Sequence, residues 1–250
     1  MQSFSAGERC GKILTAVKSA GRISVGDLIA LLGVSPATVR RDLGDLVESG
    51  ALERVRGGVH WPGTGVGEQP HGRRRAEALA EKRVIAGAAA LAVPHGASVF
   101  LDSGTTCHEL GVLLAARRDV VIYTTSASLL SVVETCAAHF VFLGGECRPV
   151  SLAMVGAVTL DWLSRLRPDM TFLGATAVDV RAGLFTTETM EAAVKAEAIK
   201  QARRTVLLAD SSKASATAAV QFAKWSSVNE WITDRGLSAK SRWPVPVRRV

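Results

Sequence analysis

The sequence predicts an α/β protein in two parts, an N-terminal winged helix-turn-helix followed by a larger, mostly parallel α/β domain. Three observations carry that expectation. Near the start, two short amphipathic helices flank Gly33-Val34-Ser35 and are followed by an alternating run around Gly57-Gly58. Further on, apolar strand-like runs lead repeatedly through polar glycine loops into helical segments. The positive charge sits at the ends. Residues 1–75 hold 11 Lys and Arg against 7 Asp and Glu, residues 76–234 hold 14 against 16, and residues 235–250 hold 5 against none. A basic head on a near-neutral body suits a protein that grips nucleic acid with one end.

In chain order, residues 1–8 read as a lead-in and Arg9 to Ala20 as a helix with Ile13, Leu14 and Val17 inward. Ser24 caps a short helix whose Val25, Leu28, Ile29 and Leu32 form an apolar stripe, and Gly33 stops it. Ser35 is an N-cap and Pro36 a first helical residue, so the next helix has a fixed start. Val39, Leu43, Leu46 and Val47 give it a buried stripe, leaving Ala37, Thr38 and Arg41 outward and Arg40 on the flank. Small residues and arginines at the start of a protruding helix fit the major groove, so Ser35, Pro36, Ala37, Thr38, Arg40 and Arg41 are the candidate DNA-reading set. After Gly50, the run from Leu52 to His60 reads as a β-hairpin wing that offers Arg54, Arg56 and His60 to the sugar-phosphate backbone. The bland alternative, two packed helices with a solvated Arg40-Arg41 pair, leaves the caps and the wing unaccounted for.

The Gly- and Pro-rich stretch that follows reads as a linker over 62–76, between a DNA-binding domain at 1–61 and an α/β domain at 77–236. From Glu77 a helical pattern runs to Val93. Strands follow at Ala97–Leu101, Val120–Tyr123, His139–Leu143, Met170–Gly174, Thr205–Ala209 and Glu230–Thr233, with helices expected over Cys107–Ala115 and from Ser126 to about Ala137. Residues 237–250 read as a basic tail that only solubilises. In such sheets ligands sit at the carboxyl ends of the strands. There, Asp102-Ser103-Gly104-Thr105-Thr106 offers hydroxyls, a glycine and the amides of a helix start, which is a phosphate cradle, although such a loop taken alone is equally a plain cap. Gly144-Gly145 with Arg148 nearby, and Lys213, supply glycines and cations for an anion.

These residues resemble the DeoR family of bacterial transcription regulators. The resemblance rests on Arg9, Ser24 to Leu28, Gly33-Val34-Ser35, Thr38 to Leu43, Gly50 and Arg54 to Gly58 in the head. In the body it rests on Asp102 to Thr106, Leu143-Gly144-Gly145, Phe172-Leu173-Gly174, Glu191, Lys195 and Leu208 to Lys213. It implies an effector domain similar to ribose-phosphate isomerases, with a phosphorylated sugar or related metabolite as ligand. The implied phosphate lies on Ser103, Gly104, Thr105 and Thr106, and the sugar among Thr124, Thr125, Ser126, Gly144, Gly145, Asp179, Glu191, Lys195 and Lys213. Many members carry Thr-Asn where this chain has Thr124-Thr125, so the donor-acceptor fork of an amide is missing there. Glu191 and Lys195, four apart on an expected helix, are equally readable as a surface ion pair.

The expectation is therefore a repressor of a carbohydrate catabolic operon, binding double-stranded operator DNA as a homo-oligomer, dimer or tetramer, and relieved by a phosphate ester. The alternative is a sugar-phosphate isomerase-like enzyme carrying a DNA-binding module, with Asp102, Asp179, Glu188 or Glu191 as proton carriers. No stretch resembles the catalytic loop of those isomerases, so no catalytic residue is assigned. Cysteines at 10, 107, 136 and 147 lack metal-ligand spacing, and neither a metal nor a cofactor is implied. Without a basic-then-apolar leader or a span-length apolar run, the protein is expected in the cytoplasm, with no membrane partner.

Overall fold

A computed structural model describes residues 4–55, 57–61 and 68–250. The chain divides into two compact units, residues 1–74 and 75–250.

The first unit opens on α1 (Ala6–Ala20), three residues earlier than the apolar pattern suggests. A capping box sets that start: the Ser5 hydroxyl accepts from the Glu8 amide at 3.3 Å, and Glu8 accepts from the Ser5 amide at 2.8 Å. Strand β1 (Arg22–Ser24) precedes α2 (Val25–Leu32) and α3 (Pro36–Glu48). Ser24 caps α2, Gly33 ends it in the left-handed region at φ 63°, and Ser35 caps α3, with Pro36 in the first turn. Ile13, Val17, Leu28, Leu32, Val39, Leu43, Leu46, Leu52 and Val59 close one core between these helices and the hairpin of β2 (Glu53–Val55) and β3 (Gly58–His60). Asp42 is buried on α3 and takes a two-pronged ion pair from Arg9, at 2.7 and 3.0 Å, which ties α1 to α3.

Strand β1 was not expected from the sequence. It pairs antiparallel with β3, placing Ile23 opposite Val59 and Ser24 opposite Gly58. A Cβ on Gly58 would lie 2.1 Å from the Ile23 carbonyl oxygen, whereas Gly57 is needed for its φ of 83°. The two glycines thus serve different purposes, one for close approach and one for the turn.

Of the expected linker, residues 62–67 lie outside the described residues. The rest is not loose chain: Glu68 and His71 are buried and α4 spans His71–Ala76. Gly21 makes this possible, since a Cβ there would sit 2.7 Å from the Pro70 ring, and Arg73 donates to the Ala20 carbonyl at 3.0 Å.

The second unit is built on a parallel sheet in the order β15-β14-β12-β9-β4-β5-β6. In chain order its elements are α5 (Leu79–Leu91), β4 (Ser98–Leu101), α6 (Thr105–Leu114), β5 (Val121–Thr124), β6 (His139–Phe142), β7 (Glu146–Arg148), β8 (Ala153–Val155), α7 (Ala157–Ser164), β9 (Met170–Leu173), β10 (Ala177–Asp179), β11 (Gly183–Thr186), α8 (Thr189–Gln201), β12 (Arg204–Leu208), β13 (Val220–Ala223), β14 (Glu230–Thr233) and β15 (Val247–Arg249). Both faces are covered, which is why the strands read as unbroken apolar runs. Val99, Leu101, Phe172, Val206 and Ile232 pack on one side with α5 and α6. Phe100, Leu173, Leu207 and Trp231 pack on the other with α8.

Three stretches differ from expectation. The segment after Ser126 is a 3-10 helix, Ala127–Thr135, rather than an α-helix. Its serines bond locally, Ser126 to Ser128 at 2.8 Å and Ser131 to the Ser128 carbonyl at 3.2 Å, and such bonds compete with a regular helix. Two antiparallel additions, β7–β8 and β10–β11–β13, sit outside the main sheet, and at three or four residues each their strands are too short to show a period. The supposed solubilising tail joins the sheet instead: β15 pairs with β14, Arg248 reaches Glu230 at 2.9 Å, and Trp243 meets Trp231 edge-on at 4.8 Å. Among the described residues no helix is long and apolar enough to cross a membrane.

Candidate DNA interface and effector crevice

On the first unit, the start of α3 stands clear of the core. Ser35, Pro36, Ala37, Arg40 and Arg41 are exposed, and Thr38 is half-buried with its hydroxyl 2.9 Å from that of Ser35. Arg40 and Arg54 converge on one cleft of about 150 Å³ floored by Gly57 and Gly58. Arg40, Arg41 and Arg54 have no hydrogen-bond or ion-pair partner among the described residues, while Arg9 on the same unit is fully paired. Unspent guanidinium groups such as those of Arg40 and Arg54 are what a phosphate backbone requires. Two members of the expected set fare differently. Arg56 lies outside the described residues. His60 is buried, its Nδ1 2.9 Å from the Trp61 carbonyl and its Nε2 3.1 Å from Glu53, so it braces the hairpin and is withdrawn from the expected DNA contacts.

In the second unit the strand order reverses between β4 and β9, and the loops after these two strands meet. The Asp102 carboxylate accepts from the Gly174 amide at 3.0 Å and pairs with Lys195, whose ammonium also donates to the Gly174 carbonyl at 3.1 Å. Asp102 is 1% and Lys195 4% exposed, so this is a dry, closed pair. Gly104 follows with an ordinary φ of −63°. Its need for glycine is spatial, because a Cβ would press within 3.3 Å of the Asp102 carboxylate.

Directly above lies the start of α6, which, like α5 and α7 but unlike α1, α2, α3 and α8, has no side-chain cap. The hydroxyls of Ser103, Thr105 and Thr106 make no hydrogen bond with the described residues. Free amides and unspent hydroxyls at a helix start are the groups with which an anion can be held, which makes this a candidate site. Beside it Thr124 is committed to structure, donating to the Leu101 carbonyl at 2.8 Å and accepting from the Ser126 amide at 3.0 Å. Ser126 continues through Ser128 to His108, with links of 2.8 Å each. Burial, helped by the charge of Arg75, lowers His108 to about 4, which keeps the imidazole neutral.

The expected cations divide. Arg148 is already held by Glu191, with Glu188 at 3.7 Å and the Ser151 hydroxyl at 3.1 Å, so it is not the free anion partner that the sequence suggests. Lys213 is the least committed, 31% exposed and 3.9 Å from Asp210. Glu191 and Lys195 do not pair with each other on the surface; both are buried and each reaches a different partner. Gly145 needs its φ of 147° and its missing side chain, since a Cβ would meet the Thr159 hydroxyl at 2.1 Å, and Thr159 donates to the Gly144 carbonyl at 2.7 Å. Thus Gly144-Gly145 anchors α7. Asp179 caps its own hairpin turn through the Ala182 and Arg181 amides, which hold its carboxyl below the usual range. It also borders a pocket of about 440 Å³ walled by Phe185 and the loop from Ala214 to Ala218.

Sequence reasoning missed His108 and Ser128, which bond each other 20 residues apart with nothing local to mark them, and it placed Gly174 in the family resemblance without foreseeing its bond to Asp102. Cys107 is buried with its thiol pushed well up, so it is no nucleophile. Among the described residues no group of His, Cys, Asp and Glu is placed to hold a metal ion.

Comparison with known proteins gives two family models, a DeoR-like helix-turn-helix domain over residues 9–64 and a DeoR C terminal sensor domain over residues 77–235. The HTH-type transcriptional regulator GlpR of Haloferax volcanii is 36% identical over 236 residues, covering 94% of this chain and 92% of that one. The glycerol-3-phosphate regulon repressor of Escherichia coli is 31% identical over 230 residues, covering 91% and 90%. Among solved structures, ribose 5-phosphate isomerase A from Methanocaldococcus jannaschii is similar over 53% of each chain, at 20% identity and a TM-score of 0.39.

Proposed function

We propose that this chain, which belongs to the DeoR family of transcriptional regulators, is a repressor of a carbohydrate catabolic operon that releases its operator when a phosphate ester enters the second unit. It is a regulator and not an enzyme. Residues 1–61 act as the DNA-binding domain: α3 enters the major groove with Arg41 at base edges, and Arg40 and Arg54 hold phosphates across their shared cleft. Residues 77–236 act as the effector domain. The ester's phosphate sits on the uncapped start of α6 among Ser103, Gly104, Thr105 and Thr106, with Lys213 supplying charge. Its organic part faces the pocket beside Asp179. Subunits associate so that two heads meet two half-sites, and the protein works in the cytoplasm.

The observation that carries the DNA half is the pair of unpartnered arginines, Arg40 and Arg54, lining one cleft beside the exposed start of α3; the uncapped α6 start carries the effector half. For release to follow, the ester must bind the DNA-incompetent state more tightly than the competent one. The test is fluorescence anisotropy on the promoter fragment upstream of the chain's own gene against random DNA, titrated with glycerol 3-phosphate and with hexose and pentose phosphates. Preferential binding to the promoter, reversed by one ester and not by inorganic phosphate, is expected. Equal affinity for both DNAs refutes the DNA half, and indifference to every ester refutes the effector half.

A further inference from the structure

The self-association proposed above needs a surface, and α7 has the chemistry of one. Its inner side is fixed by Leu163 in the core and by the two hydrogen bonds of Thr159. Its outer stripe is not that of a solvated helix, since Val158 is 58% and Trp162 54% exposed, four residues apart on the same side. Trp162 is the one large exposed aromatic among the described residues. Such rings, held on a rigid platform, are typical anchors at the centre of interfaces.

The charges beside it select the partner. Asp161 and Arg165 have side chains 57% and 62% exposed, lie 2.9 Å apart, and bracket Trp162, with the guanidinium 5.5 Å from the ring. An acid and a base four residues apart on the flank of the ring are self-complementary, because a two-fold axis between the rings of antiparallel helices brings the acid of one copy beside the base of the other. Four residues span about 6 Å of helix, within reach of an arginine side chain. No other exposed apolar side chain among the described residues combines an aromatic ring with opposite charges four residues apart. Met190, 37% exposed and 3.8 Å from the position of a Cβ on Gly156, extends the apolar surface at the start of α7.

We propose that α7 packs antiparallel on α7 of a second copy of this chain, Trp162 against Trp162 at the axis, with each Asp161 facing the other copy's Arg165. This rests on the self-association reading and adds where the copies meet. A stable interface buries about 800 Å² per partner, so the stripe is the centre of a larger face.

Sedimentation velocity on the full chain tests it. Wild type is expected to associate, and Trp162→Ala to raise the dissociation constant by about tenfold or more. Asp161→Arg and Arg165→Asp each place like charges across the axis, and each alone is expected to dissociate. Mixed in equal amounts, the two variants are expected to recover a heterodimer, since one copy then presents two cations and the other two anions. Within each variant the local pair stays like-charged, so a mere helix defect would persist in the mixture. The proposal is overturned by a monomeric wild type, by substitutions that leave its association unchanged, or by a mixture that stays dissociated. Anisotropy on a single half-site reads the head separately, so specific binding there alongside such a result leaves the regulator reading standing while removing α7.

Discussion

Lys195→Met is the sharpest probe of the crevice, because the structure fixes what it leaves behind. The variant keeps the length of the side chain and its packing beside Phe222, whose ring is 5.5 Å from the ammonium, but removes the charge. Asp102, 1% exposed, would keep only the Gly174 amide as a donor. Removing one member of a buried pair costs about 3–5 kcal/mol, chiefly because the remaining charge is stranded. For a unit of this size each kcal/mol lowers Tm by about 2–4 °C, so a fall of roughly 6–20 °C is expected in differential scanning calorimetry. Asp102→Asn combined with Lys195→Met should recover more than half of that loss. The amide oxygen still accepts from Gly174, and no charge is stranded. The coupling between the two sites should exceed about 1 kcal/mol, as for residues in direct contact. Strictly additive losses, or a Lys195→Met variant as stable as wild type, would refute the closed pair and return Lys195 to the ligand's side.

Three further outcomes follow from the geometry. Arg41→Ala should weaken promoter binding by about 1–3 kcal/mol and relax sequence preference, as for a base-edge contact, whereas Arg54→Ala should weaken all DNA alike and lower the salt slope by about one; anisotropy across a salt series separates them. Gly58→Ala, with its Cβ 2.1 Å from the Ile23 carbonyl oxygen, should disrupt the wing and abolish promoter binding while ester-induced stabilisation of the second unit persists in a thermal-shift assay. Above pH 6.5 His108 is neutral both folded and unfolded; as pH falls towards 4 the unfolded chain takes a proton that the buried imidazole refuses, so stability drops across that window by up to about 3 kcal/mol. His108→Gln should flatten that part of the Tm–pH curve, and an unchanged curve would remove His108 as its source.

What the sequence discloses and what it hides divide along one physical line. Helix starts at Ser24 and Ser35 are legible because a cap acts over three residues, and the strand at Val99-Phe100-Leu101 because burial on both faces leaves no polar position. Gly57-Gly58 is legible as a turn, but the reason for the second glycine lies 35 residues upstream, in the carbonyl of Ile23. The convergence of loops on a crevice follows from the parallel topology alone. Whether a given side chain is available there does not. Arg148, Lys195 and His60 have the residue types of ligand groups, yet each is occupied, by Glu191, Asp102 and Glu53 respectively. Conversely, the hydroxyls of Ser103, Thr105 and Thr106 gain weight only once α6 proves to be uncapped. Residue type is a local property and commitment a long-range one, so candidates chosen by type will over-count cations that the fold has already neutralised. Under the proposed function the ester's charge is met mainly by the amides of α6 and by Lys213, and that proposal therefore turns on the phosphate cradle rather than on a cluster of cations.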